Sequence, residues 1–132
     1  MNRPKPDEFA PFYQNYIDTV DDDVIDALET QASAFADFIN AIPEEKAGFA
    51  YDEGKWTIKE LLGHVIDTER IMTYRAVRFS RNDTTPIPGF EENFYVDHAH
   101  FNDRTLSGLA EEFNLLRRAN LHFFRSLNEA EI

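Results

Sequence analysis

The chain has 132 residues, 42% of them hydrophobic, and carries 25 acidic side chains against 13 basic ones, for a formal charge of −12. That size suits a single domain over residues 1–132 with a real core. The acidic excess argues against nucleic acid, whose binding rests on cations neutralising phosphates, and against an anionic membrane surface. There is no cysteine, which excludes disulfides, thiolate metal sites and a cysteine nucleophile.

At the start, Met1-Asn2-Arg3-Pro4-Lys5-Pro6-Asp7-Glu8 has no apolar stretch of the secretory kind. No run approaches the ~18 apolar residues of a membrane span. The expectation is a cytoplasmic domain without a membrane partner. Proline at positions 4, 6, 11, 43, 86 and 88 divides the chain, and the apolar period between these cuts is helical, with strands scarce. Phe12, Tyr13, Tyr16, Ile17 and Val20 predict a short helix or an ordered arm on the bundle.

The first long helix is expected from Asp23 to Ile42, with Val24, Leu28, Phe35, Phe38 and Ile42 on one face and Gln31 interrupting the stripe. Asp21, Asp22 and Asp23 would cap its start. Pro43 would stop it.

The second helix has the clearest boundary. Thr57-Ile58-Lys59-Glu60 fits a capping box, and Trp56 with Leu61 fits a hydrophobic staple. Ile58, Leu61, Leu62, Val65, Met72, Ala76 and Phe79 would share one side, and the helix would run to about Arg81. From Asn82 to Arg104 the chain reads as a long loop carrying Phe90, Phe94, Tyr95 and Phe101; such loops are functional or hold short structure of their own. A third helix is expected from Thr105 to Leu127, with Leu106, Leu109, Phe113, Leu116, Phe124 and Leu127 on one face and Asn120 interrupting. These three helices carry more apolar surface than three could bury among themselves. The excess calls for a fourth layer from the N-terminal arm, a partner chain or further sequence.

Chemistry concentrates on the second helix. His64 lies at the edge of the apolar stripe, above Thr68, Ile71 and Arg75; a neutral imidazole facing a bundle interior is a metal ligand or a hydrogen-bonded interface residue. Asp67, one turn on, would orient His64 or join a metal site. Glu69 falls in the middle of the apolar face, where a carboxylate must pair, ligate or change protonation. It reads either as an ion-pair partner of Arg70, Arg75, Arg78 or a third-helix arginine, or as a catalytic base. Asp97-His98-Ala99-His100 would bring two rings together in a strand or a chelating loop, or else present them to solvent. His122 reads as a surface or interface residue. Ser33, Ser80, Ser107 and Ser126 lack a nucleophile elbow, and the five glycines form no phosphate or dinucleotide motif.

The segment Lys55-Trp56-Thr57-Ile58-Lys59-Glu60-Leu61-Leu62-Gly63-His64-Val65-Ile66-Asp67-Thr68-Glu69-Arg70 resembles the DinB-like superfamily. The likeness continues through Tyr74-Arg75-Ala76-Val77-Arg78-Phe79, Pro86-Ile87-Pro88-Gly89-Phe90, Phe101-Asn102 and the helix beginning Glu111-Glu112-Phe113. The resemblance implies an all-α, up-down-down-up four-helix bundle, often a homodimer, holding zinc, nickel or a similar divalent ion on three histidines. It implies a thiol-dependent transferase or a hydrolase acting on a small molecule. His64 matches the family's first ligand. The other two, four residues apart on a fourth helix, have no counterpart before Ile132, so the expectation is a chain lacking that helix, with a divalent metal in the complete form or none. The competing expectation is a dimeric scaffold module that has lost its metal.

Overall fold

The computed structural model describes residues 3–20 and 23–128. Among these residues five α-helices follow in order: α1 (Gln14–Asp18), α2 (Val24–Asn40), α3 (Ile58–Ser80), α4 (Glu92–Ala99) and α5 (Leu106–Ser126). Among the described residues there is no strand.

Each long helix begins on a side-chain cap. The Asp23 carboxylate accepts from the Ile25 N–H at 2.8 Å; Asp21 and Asp22 lie outside the described residues. Thr57 caps α3 and Thr105 caps α5, the latter accepting from the Gly108 N–H at 3.1 Å. Glu44 ties two of these starts together. One oxygen accepts from the Leu106 N–H at 3.0 Å, and the other meets Lys59 Nζ at 2.9 Å.

Helix α5 packs against both α2 and α3, which meet chiefly through it. The core joins Ala36 and Ile39 of α2, Leu62 and Ile66 of α3, and Leu106, Leu109, Ala110 and Phe113 of α5, with Ala47 and Phe101 closing one end. Phe35 lies against Phe113, ring centroids 4.4 Å apart.

The buried faces differ from those expected. On α2 the row that meets α5 is Ala32, Ala36 and Ile39, while Phe38 is 64% exposed. Two alanines one turn apart let the backbones approach, and the larger rings flank the seam. On α3 the buried row is Leu62, Gly63 and Ile66, whereas Leu61 and Met72 are about half exposed, at 50% and 48%. Of that buried row the stripe read from sequence holds Leu62 but not Gly63 or Ile66, which lie beside it, while Val65 and Met72 of the stripe line an open corner between α3 and α2.

The region expected to be a long loop contains a helix of its own. Arg78 holds its start, donating to Asp83 Oδ2 at 2.5 Å and to the Thr85 carbonyl at 2.8 Å. That guanidinium, with the Thr85 amide, keeps the Asp83 carboxyl far below the usual carboxylate range. Glu91 then caps α4 through the Phe94 N–H at 2.7 Å, and His100 ends it in the left-handed region at φ 53°. The expected N-terminal arm is a 3-10 turn, Pro11–Tyr13, leading into α1, but neither has a buried residue, so it does not supply the fourth layer of the core.

Candidate functional site

The start of α3 is a closed ring of hydrogen bonds. Thr57 Oγ1 accepts from the Glu60 N–H at 3.2 Å, and Glu60 Oε2 accepts from the Thr57 N–H at 2.7 Å, completing the expected capping box. Asn102 joins from across the molecule: its Oδ1 accepts from the Thr57 hydroxyl at 2.8 Å and its Nδ2 donates to Glu60 Oε1 at 2.9 Å. The neighbouring Phe101 ring lies over Gly63, so closely that a Cβ built there would fall 2.3 Å from ring carbons. Sequence alone gave Asn102 no role, because its partners are 42 and 45 residues away.

This ring sets the surroundings of His64. Trp56 does not simply staple to Leu61. Its indole packs on the His64 imidazole, centroids 4.8 Å apart and planes inclined at 43°. His64 is half-buried, with Nε2 3.5 Å from the Thr68 hydroxyl, the outer limit of a hydrogen bond. Asp67 turns elsewhere, to Arg70 at 3.2 Å. Arg70 and Arg104 both reach Glu112. Partial burial pushes the Glu112 carboxyl up, but the two guanidiniums outweigh it and hold the group below its usual value.

Glu69 sits deeper. Arg117 Nε and Nη2 each donate to it at 2.7 Å, a two-pronged pair, and Asn120 Nδ2 donates to the same carboxylate at 3.0 Å. The remaining Arg117 nitrogen donates to Gln31 Oε1 at 2.9 Å. The polar residues that interrupted the three apolar stripes, Gln31, Glu69 and Asn120, therefore meet in one network: Gln31 and Glu69 accept from the Arg117 guanidinium, and Asn120 donates to Glu69. The Glu69 and Arg117 side chains are only 12% and 11% exposed, so the ion pair is nearly dry. Of the partners weighed for Glu69, the third-helix arginine is the one it meets.

Beside this pair the corner between α2 and α3 opens as a cleft of about 330 Å³. Leu28, Val65, Met72 and Phe124 give it an apolar wall; Thr68, the neighbour of His64, stands in its lining. The other histidines lie apart from it in sequence and setting. His98 is exposed near the end of α4, its Nδ1 2.8 Å from the Phe94 carbonyl, and His100 has the left-handed turn that follows. A helix end thus replaces the strand or chelating loop considered for them. His122 is exposed on α5.

Among the described residues, no three His, Asp or Glu side chains converge where they could hold a metal ion. A zinc centre takes three or four protein ligands. His64 alone is short of that.

A family model described as the DinB superfamily matches residues 27–132, most of the chain. The chain belongs to the DinB superfamily. A relative from Oceanobacillus iheyensis, named "Putative metal-dependent hydrolase OB0413", is 27% identical over 66 residues, 49% of this chain. That match spans 38% of the relative's own length. Among solved structures, YfiT from Bacillus subtilis superposes with a TM-score of 0.72 over 98% of this chain and 70% of YfiT, at 15% identity. It is described as "a probable metal-dependent hydrolase with an unusual four-helix bundle topology". At that identity the likeness speaks for the fold, and it agrees with an all-helical DinB-type bundle whose long described helices are α2, α3 and α5.

Proposed function

We propose that this DinB-superfamily protein is a divalent-metal-dependent enzyme acting on a small molecule, with hydrolysis as the leading reaction class and thiol-dependent group transfer as the other. The observation that carries the reading is the placement of His64. It is a half-buried imidazole on α3, held at the margin of an open apolar corner in a family whose relatives bear metal-dependent names. The remaining ligands would come from whatever segment occupies the corner beside α3. Zinc or nickel suits a site founded on imidazole. In this reading Asp67 supports the site from α3 through its pairing with Arg70. Glu69 is a buried structural partner of Arg117 rather than a base, because its oxygens already accept from Arg117 and Asn120. A cytoplasmic homodimer completes the proposal.

The test is elemental analysis of the purified full-length protein beside its His64→Ala variant. The reading predicts a stoichiometric divalent metal that the substitution removes. Equal metal content in both proteins would refute it. The second reading, a dimeric binding module without metal, draws on the exposed apolar residues Leu61, Met72 and Phe79 of α3, which a partner could cover. It predicts no bound metal in either protein and loss of the dimer when Met72 is changed to Asp.

A further inference from the structure

The surroundings of Trp56 distinguish it from a core residue. It is the chain's one tryptophan, yet it stands outside the core built by α2, α3 and α5. Its ring contact is with His64. Both sides of that contact are anchored by the same turn. The residue after Trp56 is Thr57, whose N–H is tied to Glu60 and whose hydroxyl is tied to Asn102. The residue before His64 is Gly63, on which the Phe101 ring rests. The cap ring holds the backbone next to Trp56, and the helix backbone beneath the imidazole cannot roll without displacing Phe101.

A histidine on an open helix face would sample several staggered rotamers. Holding it in one of them is what a ligand or proton carrier needs, since a functional side chain works only when its own orientation is fixed by neighbours. We infer that Trp56 is a positioning residue for His64: its indole packs on the imidazole and fixes the ring, while the Phe101–Asn102 turn holds the backbone that carries both rings. The inference rests on the reading of His64 as the functional side chain, but its test needs no metal.

The test is the rate at which diethyl pyrocarbonate modifies each histidine of the folded protein, followed by mass spectrometry. His100 and His122 are exposed and serve as internal references, whereas the His98 ring packs on Phe94. In the wild-type protein His64 should react more slowly than both references. Trp56→Leu should speed His64 several-fold while leaving the references unchanged, and Trp56→Phe, which keeps a ring, should return it toward the wild-type rate. A role in stability alone would alter all four rates together or none. His64 reacting as fast as the references in the wild type, or unchanged in a folded Trp56→Leu variant, overturns the inference. Should Trp56→Leu not fold, proton NMR of the wild type decides: a nuclear Overhauser contact between indole and His64 ring protons is expected, and its absence overturns the claim. A shielded, Trp56-dependent His64 in a protein that binds no metal would sustain this inference and remove the metal reading.

Discussion

Breaking the pair between Glu69 and Arg117 leaves a charge stranded in a nearly dry site, and removing one partner of such a pair costs about 3 kcal/mol or more. Glu69→Leu and Arg117→Met should each lower the urea midpoint by an amount of that order, whereas the double substitution should recover much of the loss. A double variant that loses the sum of the two singles would show that the side chains are not coupled. At this scale the sequence made the anomaly visible. Gln31, Glu69 and Asn120 each interrupt an apolar stripe, and such residues demand partners. It could not say that all three meet in one network around the Glu69–Arg117 pair, because that depends on how α2, α3 and α5 face one another. Asp67 shows the same limit: adjacency along α3 suggested His64, and the folded helix gives it Arg70.

Helix α3 is held by its cap ring and by the close approach of Phe101. Gly63→Ala would drive a methyl group into that ring and should cost about 1–3 kcal/mol by overpacking, partly relieved by Phe101→Leu. Unchanged thermal stability in Gly63→Ala would mean that the turn does not rest on the helix. Thr57→Ala removes the hydroxyl shared by the cap and Asn102 and should cost about 1 kcal/mol. Amide exchange should quicken selectively in the first turn of α3, and uniform exchange along the helix would contradict the assigned role. The start of α3 was legible because a capping box is a local pattern. Its buried face was misjudged because Gly63 and Ile66, beside the expected stripe, turn inward, while Val65 and Met72 of the stripe line the open corner. Helix α4 was hidden in an apparent loop: its cap, Glu91, and its stop at His100 carry no hydrophobic periodicity to announce them.

For the molecule as a whole, acid should weaken the fold. The Glu112 carboxyl lies below its ordinary value of 4.5, the opposing effect of burial being outweighed by Arg70 and Arg104. A depressed folded-state value means that its contribution is complete above the unfolded value and disappears as pH falls through the folded one. Glu44, lowered by Lys59 and the Leu106 amide, acts in the same sense. The urea midpoint should therefore decline as pH drops below the glutamate range, and Glu112→Gln should decline less steeply; an identical slope would deny Glu112 this part. The all-helical class and the DinB likeness were readable from apolar period and the Trp56–His64 block. The open corner was readable only as an excess of apolar surface, because its location follows from α5 lying between its neighbours. The most direct test of the account is the emission of Trp56 as cobalt is added to the full-length protein, since the lone indole lies against the proposed ligand. Saturable quenching that disappears in His64→Ala is the predicted result, and quenching of equal strength in that variant, or none in either protein, would contradict it.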